Sequence, residues 1–276
     1  MEDILAENFA TRRLQLWPSP TMRVVSWNID RGLRLRQIID FLECQNADLV
    51  ILQEVDLNAR RTQRLNVAQE IARQLGMNYV FGREFEELTQ GSPTSPAYHG
   101  QATLSRFPLS HPRLIRFRRQ SNFWRPRWFL PRTEPFQERL GGRIALVAQI
   151  DGAGRGLTVY NLHLESRGNN DLRHAQLQEV LQDAAKFASK APTLLAGDLN
   201  FDASVAFRAG TFANPYFRSA LGLPSPHTTT PRGLFRRRHS KDWAFLSGPV
   251  RAYLGRVHDD IHASDHYPIS FTIRFY

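Results

Sequence analysis

The sequence predicts an α/β fold, and three observations carry that prediction. Apolar runs of strand length alternate with segments of helical periodicity. Several of the runs have no polar residue inside them, which marks strands covered on both faces. The 276 residues, 42% of them hydrophobic, supply enough core for one large domain.

Residues 1–21 read as an N-terminal extension. They hold no continuous apolar stretch and carry Glu2, Asp3 and Glu7 early, unlike a signal peptide. A single domain is expected over 22–276. Its first strand, Met22 to Trp27, runs into Asn28. Leu35, Ile38, Ile39 and Leu42 then recur at helical spacing and lead to the run from Asp48 to Gln53, which meets Glu54. This is a strand–helix–strand unit. Leu65, Ala68, Ile71, Ala72 and Leu75 repeat the helical pattern as far as Gly76, a helix terminator. Gly91 to Pro96 is a loop by composition, and His99 to Arg106 reads as a further strand.

Between Arg106 and Arg143 the periodicity fails. Arg113, Arg118, Arg125, Arg132 and Arg139 are mixed with Phe117, Phe123, Trp124, Trp128 and Phe129. Arginine interleaved with aromatics suits phosphate contact plus base stacking. The same mixture suits an interfacial membrane anchor, or a loop whose aromatics plug the core. Regular structure returns at Leu157 to Leu162, which runs into His163. A helix is expected from Asn170 to Lys190, with Leu172, Ala175, Val180, Leu181, Ala184 and Phe187 on one face. The buried run from Ala191 then meets Gly197-Asp198-Leu199-Asn200. A basic cluster of Arg232, Arg236, Arg237, Arg238 and Lys241 precedes Asp242, and Ser264-Asp265-His266 precedes a final alternating run.

Gly-Asp-x-Asn alone also reads as a turn. Recurrence decides against that reading, because five strand ends carry Asn, Glu, His, Asp-x-Asn and Asp-His, the pattern of a convergent site. Cys44 is the sole cysteine, so no intramolecular disulfide forms, and a reducing, cytoplasmic setting is expected. No run reaches transmembrane length. The net charge of +10 points to a polyanionic partner, either nucleic acid or an anionic membrane or lipid surface. No protein partner is implied.

Trp27-Asn28, Gln53-Glu54, Leu162-His163-Leu164, Gly197-Asp198-Leu199-Asn200, Lys241-Asp242-Trp243 and Ser264-Asp265-His266 occur in that order over nearly the whole chain. In this order they resemble the motifs of the endonuclease/exonuclease/phosphatase superfamily of metal-dependent phosphoesterases. The resemblance implies a four-layer α/β sandwich, with two packed mixed β-sheets flanked by helices and the site at the mouth between the sheets. Strand–helix alternation alone does not choose this over an ordinary doubly wound sheet.

The resemblance also assigns roles. Hydrolysing a phosphodiester requires a metal, a positioned water and donors for the phosphoryl oxygens. Glu54, Asn28 and Asp265 are the expected metal residues, and this oxygen-rich set suits Mg2+ or Mn2+ better than zinc. Asp198 is expected to activate the water and Asn200 to donate its amide to the phosphorus species. His266 is expected to bind a phosphoryl oxygen or act as a general-base partner, oriented by Asp242. His163 serves as donor near the leaving group. Asn161, Gln101 and Arg106 are candidate substrate contacts, with Arg236, Arg237 and Arg238 at the rim.

Within the superfamily, Trp27-Asn28-Ile29-Asp30 and Leu162-His163-Leu164-Glu165-Ser166-Arg167-Gly168 look like the 5′-tyrosyl-DNA phosphodiesterases. The chain departs from them at Phe201-Asp202 and Tyr267, and Lys241-Asp242-Trp243 departs from the usual Arg-x-Asp-Tyr form. The expected activity is a phosphodiesterase or nuclease acting on DNA. The alternatives are a phosphatase or phospholipase-type esterase on a phosphoinositide, sphingolipid or small phosphoester, and a catalytically silent nucleic-acid- or membrane-binding protein.

Overall fold

The computed structural model describes residues 3–10, 21–125, 129, 131, 138–152, 155–188, 191–202, 217–221, 226–231 and 238–276. In chain order, β1 (Ile4–Glu7), β2 (Thr21–Arg31), α1 (Leu35–Gln45) and β3 (Leu49–Leu57) are followed by α2 (Val67–Leu75), β4 (Asn78–Ser92) and β5 (Ser95–Ser105). Next come β6 (Leu109–Arg116), β7 (Arg139–Gly141), β8 (Ile144–Gly152), β9 (Arg155–His163) and α3 (Asn170–Ala188). The chain then forms β10 (Thr193–Asp198), β11 (Arg218–Ser219), β12 (Asp242–Ser247), β13 (Val250–Val257) and β14 (Ile269–Phe275). One sheet has the order β1-β4-β5-β3-β2-β14-β13 with β7 also on β4, and the other β11-β12-β10-β9-β8-β6.

Strand alternation sorts the side chains into layers. On β3, Leu49 and Ile51 face the other sheet, where they meet Val159, Leu194, Ala196 and Leu246. Val50 and Leu52 face outward against Ile38, Leu42 and Ile71 of α1 and α2. Tyr160, Leu162 and Leu195 face outward on the second sheet, under Leu177, Val180 and Ala184 of α3. The result is helix, sheet, sheet, helix, with hydrophobic packing at all three interfaces. A fully buried side chain such as Leu194 contributes about 1.5–3 kcal/mol to this packing.

Only two strand pairs among the described residues are parallel, β2 with β3 across α1 and β9 with β10 across α3. Each parallel pair puts two strand C-termini side by side, and both pairs open on the same mouth. β12 runs antiparallel to β10 and starts there, with Asp242 opposite Asp198. β14 runs antiparallel to β2, so the residues just before it, Asp265 and His266, arrive at the same place.

Several boundaries differ from the sequence expectation. β2 and β3 do not stop at Asn28 and Glu54 but continue through register shifts after Asn28 and after Leu52. Asp30, Arg31 and Glu54 take left-handed φ values of 44°, 68° and 53° in these bulges. α2 begins at Val67 because the Asn66 side chain accepts the Gln69 N–H at 3.1 Å and caps the helix. Leu65 is therefore outside the helix and 38% exposed. The loop at 91–96 shrinks to a tight connection between β4 and β5. Within the expected extension, Ile4–Glu7 pair with β4, and Asp3 bridges to Arg83 and Arg116.

Part of the 106–143 segment takes the last of its three readings, a loop whose aromatics plug the core. Phe117 and Trp124 are buried, Arg113 pairs with Asp183, and Arg139 and Arg143 meet the buried carboxylates Glu87 and Glu84, so these residues plug the core. Phe123 and Phe129 are 42% and 65% exposed. Trp128 and Arg132 lie outside the described residues, as do Arg232, Arg236 and Arg237.

Candidate active site

Counting along each strand from its inward-facing apolar residues explains how the site assembles. Two steps on from Ala196 is Asp198, four on from Val24 is Asn28, two before Ala244 is Asp242, and four on from Val159 is His163. All four side chains therefore point between the sheets where the apolar core gives way to the mouth. Glu54 breaks this rule. A regular strand would send it outward with Leu52, and its left-handed backbone brings its carboxylate to within 3.9 Å of His163 Nε2 instead.

Gly197 brings β10 against β9. Its φ is +140°, and a Cβ there would meet the Leu162 carbonyl oxygen at 2.0 Å. Glycine at this point lets Asp198 sit opposite His163 in register. Asp198 Oδ1 accepts the Asn200 backbone N–H at 2.8 Å, and Oδ2 accepts from Asn28 Nδ2 at 3.2 Å. His266 Nε2 stands 3.6 Å and His163 Nε2 3.8 Å from the same Oδ2. Burial opposes ionisation of Asp198, but His266, His163 and Lys241 outweigh it and hold the carboxyl below its ordinary value.

His266 is fixed from both ends. Trp27 Nε1 donates to its carbonyl at 2.9 Å, and its Nδ1 lies 2.8 Å from Asp242 Oδ2. Burial pushes its pKa down, yet the Asp242 and Asp198 carboxylates raise it to about 10. The two carboxylates thus favour the protonated ring, and Nε2 faces the gap beside Asp198.

On the other side of the gap, burial would raise Glu54, but His99, His163, Arg31 and Arg143 together hold it well below the usual carboxylate range. Its Oε2 is 4.0 Å from Arg31 Nη1, and Asp265 Oδ2 is 4.0 Å from His266 Nε2, both longer than hydrogen bonds. Glu54, Asp265 and the Asn28 amide supply oxygen donors at this mouth, the donor type that hard divalent cations take. The His and carboxylate side chains that bring one ligand atom each within 4.8 Å of one another, among the described residues, are Asp198, Asp242 and His266, a group without Glu54 or Asp265. Their geometry serves proton holding as well, since Asp242 already engages His266 Nδ1.

Three expected substrate contacts are structural. Asn161 accepts from Gln53 Nε2 at 2.8 Å and donates to the carbonyls of Leu52 and Ala102, so its amide ties the two sheets together below the mouth. Gln101 likewise donates to Glu84 Oε1 and to the Ile144 carbonyl. Arg106 lies beyond Ser105, opposite Asp48 just before β3, roughly 20 Å along the strand from Glu54 at about 3.3 Å per residue, and its side chain binds Asn46. Arg238 is exposed, while Arg236 and Arg237 fall outside the described residues. The sequence reading missed Lys241 as a site residue. Its Nζ donates to Asn200 Oδ1 at 3.2 Å and sets a cation beside Asp198.

The endonuclease/exonuclease/phosphatase family model matches residues 25–266. The chain belongs to this family. Members of the endonuclease/exonuclease/phosphatase family are phosphoester hydrolases, and they include phosphodiesterases and nucleases. No curated protein sequence matches the chain significantly. Among solved structures, a humanized D. rerio TDP2 is 21% identical, covering 93% of this chain and 100% of that one, with a TM-score of 0.66. An endonuclease/exonuclease/phosphatase protein from Beutenbergia cavernae DSM 12333 is 19% identical over 92% of this chain and 72% of that one, also at 0.66. The human Nocturnin catalytic domain, solved with a bound sulfate anion, is 19% identical over 99% and 97%, with a TM-score of 0.64. These likenesses establish the sandwich fold.

Proposed function

We propose that the chain is a divalent-metal-dependent phosphodiesterase that acts on DNA. The observation that carries this reading is the gap around Asp198 Oδ2, where the carboxylate faces His266 Nε2 at 3.6 Å and His163 Nε2 at 3.8 Å. Asp198 orients a water and accepts its proton, held in place by Asn28 and the Asn200 backbone. His266 donates Nε2–H to a phosphoryl oxygen, and Asp242 keeps the ring charged and aligned. The Asn200 amide gives one hydrogen to the Leu164 carbonyl, and its second faces the phosphoryl group. A divalent cation held by Glu54, Asn28 and Asp265 supplies neutralisation of the phosphoryl charge.

DNA as substrate is supported by the +10 net charge and by the exposed Phe123 ring, over which Arg167 lies at 4.7 Å. Arg167 follows the His163 motif by four residues, so this planar, cationic pair lies close to the mouth. A D. rerio TDP2 structure holds a single-strand DNA product. The exposed Phe129 favours a second reading, a lipid phosphoester presented at an anionic surface.

The test is an activity panel of single-stranded and duplex DNA, a 5′-phosphotyrosyl oligonucleotide, phosphoinositides and sphingomyelin, with chelator and with added Mg2+ or Mn2+. DNA substrates are expected to be hydrolysed fastest, with activity lost in chelator and restored by either ion. Asp198→Ala is expected to lower the rate about a hundredfold or more. Cleavage of vesicle headgroups with DNA untouched overturns the substrate, and chelator-insensitive turnover overturns the metal dependence.

A further inference from the structure

Arg143 stands just before β8, 2% exposed, in contact with the site's histidine rather than with solvent. Its Nη1 lies 2.8 Å from His163 Nδ1 and 3.1 Å from Glu84 Oε2, and its Nη2 donates to Ser166 Oγ at 3.1 Å. A guanidinium carries only N–H donors and accepts nothing. At 2.8 Å, therefore, His163 Nδ1 must be the acceptor, which puts the ring's proton on Nε2. Without the arginine the opposite arrangement is favoured, because Glu84 Oε2 is 3.5 Å from the same Nδ1 and attracts a proton onto it. Nε2 would then present a lone pair to the mouth.

The arrangement is built to hold. Gln120 clamps the Arg143 backbone, accepting its N–H at 2.9 Å and donating to its carbonyl at 2.7 Å. Gln101 fixes Glu84 by donating to Oε1 at 2.9 Å, and the Phe85 ring lies 5.2 Å beneath the guanidinium. Glu84 and Gln101 belong to one sheet and His163 to the other, so the clamp spans the sandwich.

We infer that Arg143, braced by Glu84, is a positioning residue that fixes His163 in the Nε2–H tautomer, so that it meets the substrate as a hydrogen-bond donor and not as an acceptor. The donor's task, steadying a phosphoryl or departing oxygen between Glu54 and Asp198, rests on the phosphodiesterase reading. The tautomer does not.

The experiment is long-range 1H–15N NMR on protein labelled at histidine, with His163 assigned by its Ala variant. Wild type is expected to show His163 protonated at Nε2 alone. Because Arg143→Met leaves Glu84 buried without its cation and can fail to fold, the charge-balanced Arg143→Met/Glu84→Gln variant is measured beside it, together with Arg143→Lys. Arg143→Met is expected to move the proton wholly or partly to Nδ1, where Glu84 accepts it, and to lower kcat roughly tenfold to a hundredfold with KM little changed; the double variant reports whether the fold tolerates loss of the pair. Arg143→Lys, still a donor-only cation, is expected to retain the Nε2–H tautomer and most of kcat. Protonation of His163 at Nδ1 in wild type overturns the inference, as does an unchanged tautomer in folded Arg143→Met. The spectra need no substrate, so their outcome is independent of the panel that tests the DNA reading.

Discussion

His266 and Asp242 act on the gap through one atom, His266 Nε2, because Nδ1 is engaged by the carboxylate at 2.8 Å. If Asp242 works only through the ring, Asp242→Asn and His266→Ala are expected to be strongly non-additive, the double variant being little slower than His266→Ala alone. Rates measured on a small aryl phosphodiester check this, and losses that multiply would assign the carboxylate another role. Asp198, Glu54 and His266 are legible in the sequence because each is a polar group where an apolar run ends, and repetition of that pattern separates a site from a turn. Arg143 was not legible, since nothing local distinguishes an arginine that enters the core from the others between 106 and 143. Asn161 and Gln101 were misread for the matching reason. Each sits on a motif-bearing or mouth-lining strand, but their partners come from elements remote in sequence, and only the packing of one sheet on the other shows that their amides are occupied.

The strands that build the mouth rely on two local departures from regularity, the bulges in β2 and β3 and the close approach at Gly197. Gly197→Ala is expected to destabilise the fold by at least about 1–3 kcal/mol, since the new methyl meets a backbone carbonyl in a strained conformation. Gly76→Ala is the control, because Gly76 ends α2 at φ +60° with open space around it and should cost only about 1 kcal/mol. Chemical denaturation compares the two, and equal costs would mean that β9 and β10 do not need the close approach. Helices were legible as elements because the 3.6-residue period survives in Leu35, Ile38, Ile39 and Leu42. The bulges were not, for a strand that turns a carboxylate to one side and a strand that stops at it read alike.

Across the whole molecule, buried ion pairs between the two sheets tie stability to pH. Burial would raise Glu84, but the Arg143 guanidinium 3.1 Å away holds its pKa below the ordinary 4.5. Its contribution is fully present above pH 4.5 and is lost as pH falls through the lowered folded value. Urea denaturation at pH 6, 4 and 3 is expected to show this loss in wild type and a flatter dependence in Glu84→Gln; parallel curves would refute it. The four-layer arrangement itself came from the motif order, since alternating strands and helices describe a single doubly wound sheet equally well. Its topology also has a consequence for folding. β14, which follows the other described strands in the chain, seats itself inside the first sheet between β2 and β13, and Trp27 meets His266 across 239 residues of chain. Such distant pairing forms late and slowly. A chain whose β14 has yet to dock therefore carries Asn28, Glu54, His163 and Asp198 without His266 beside them, and its centre is complete only once that strand is in place.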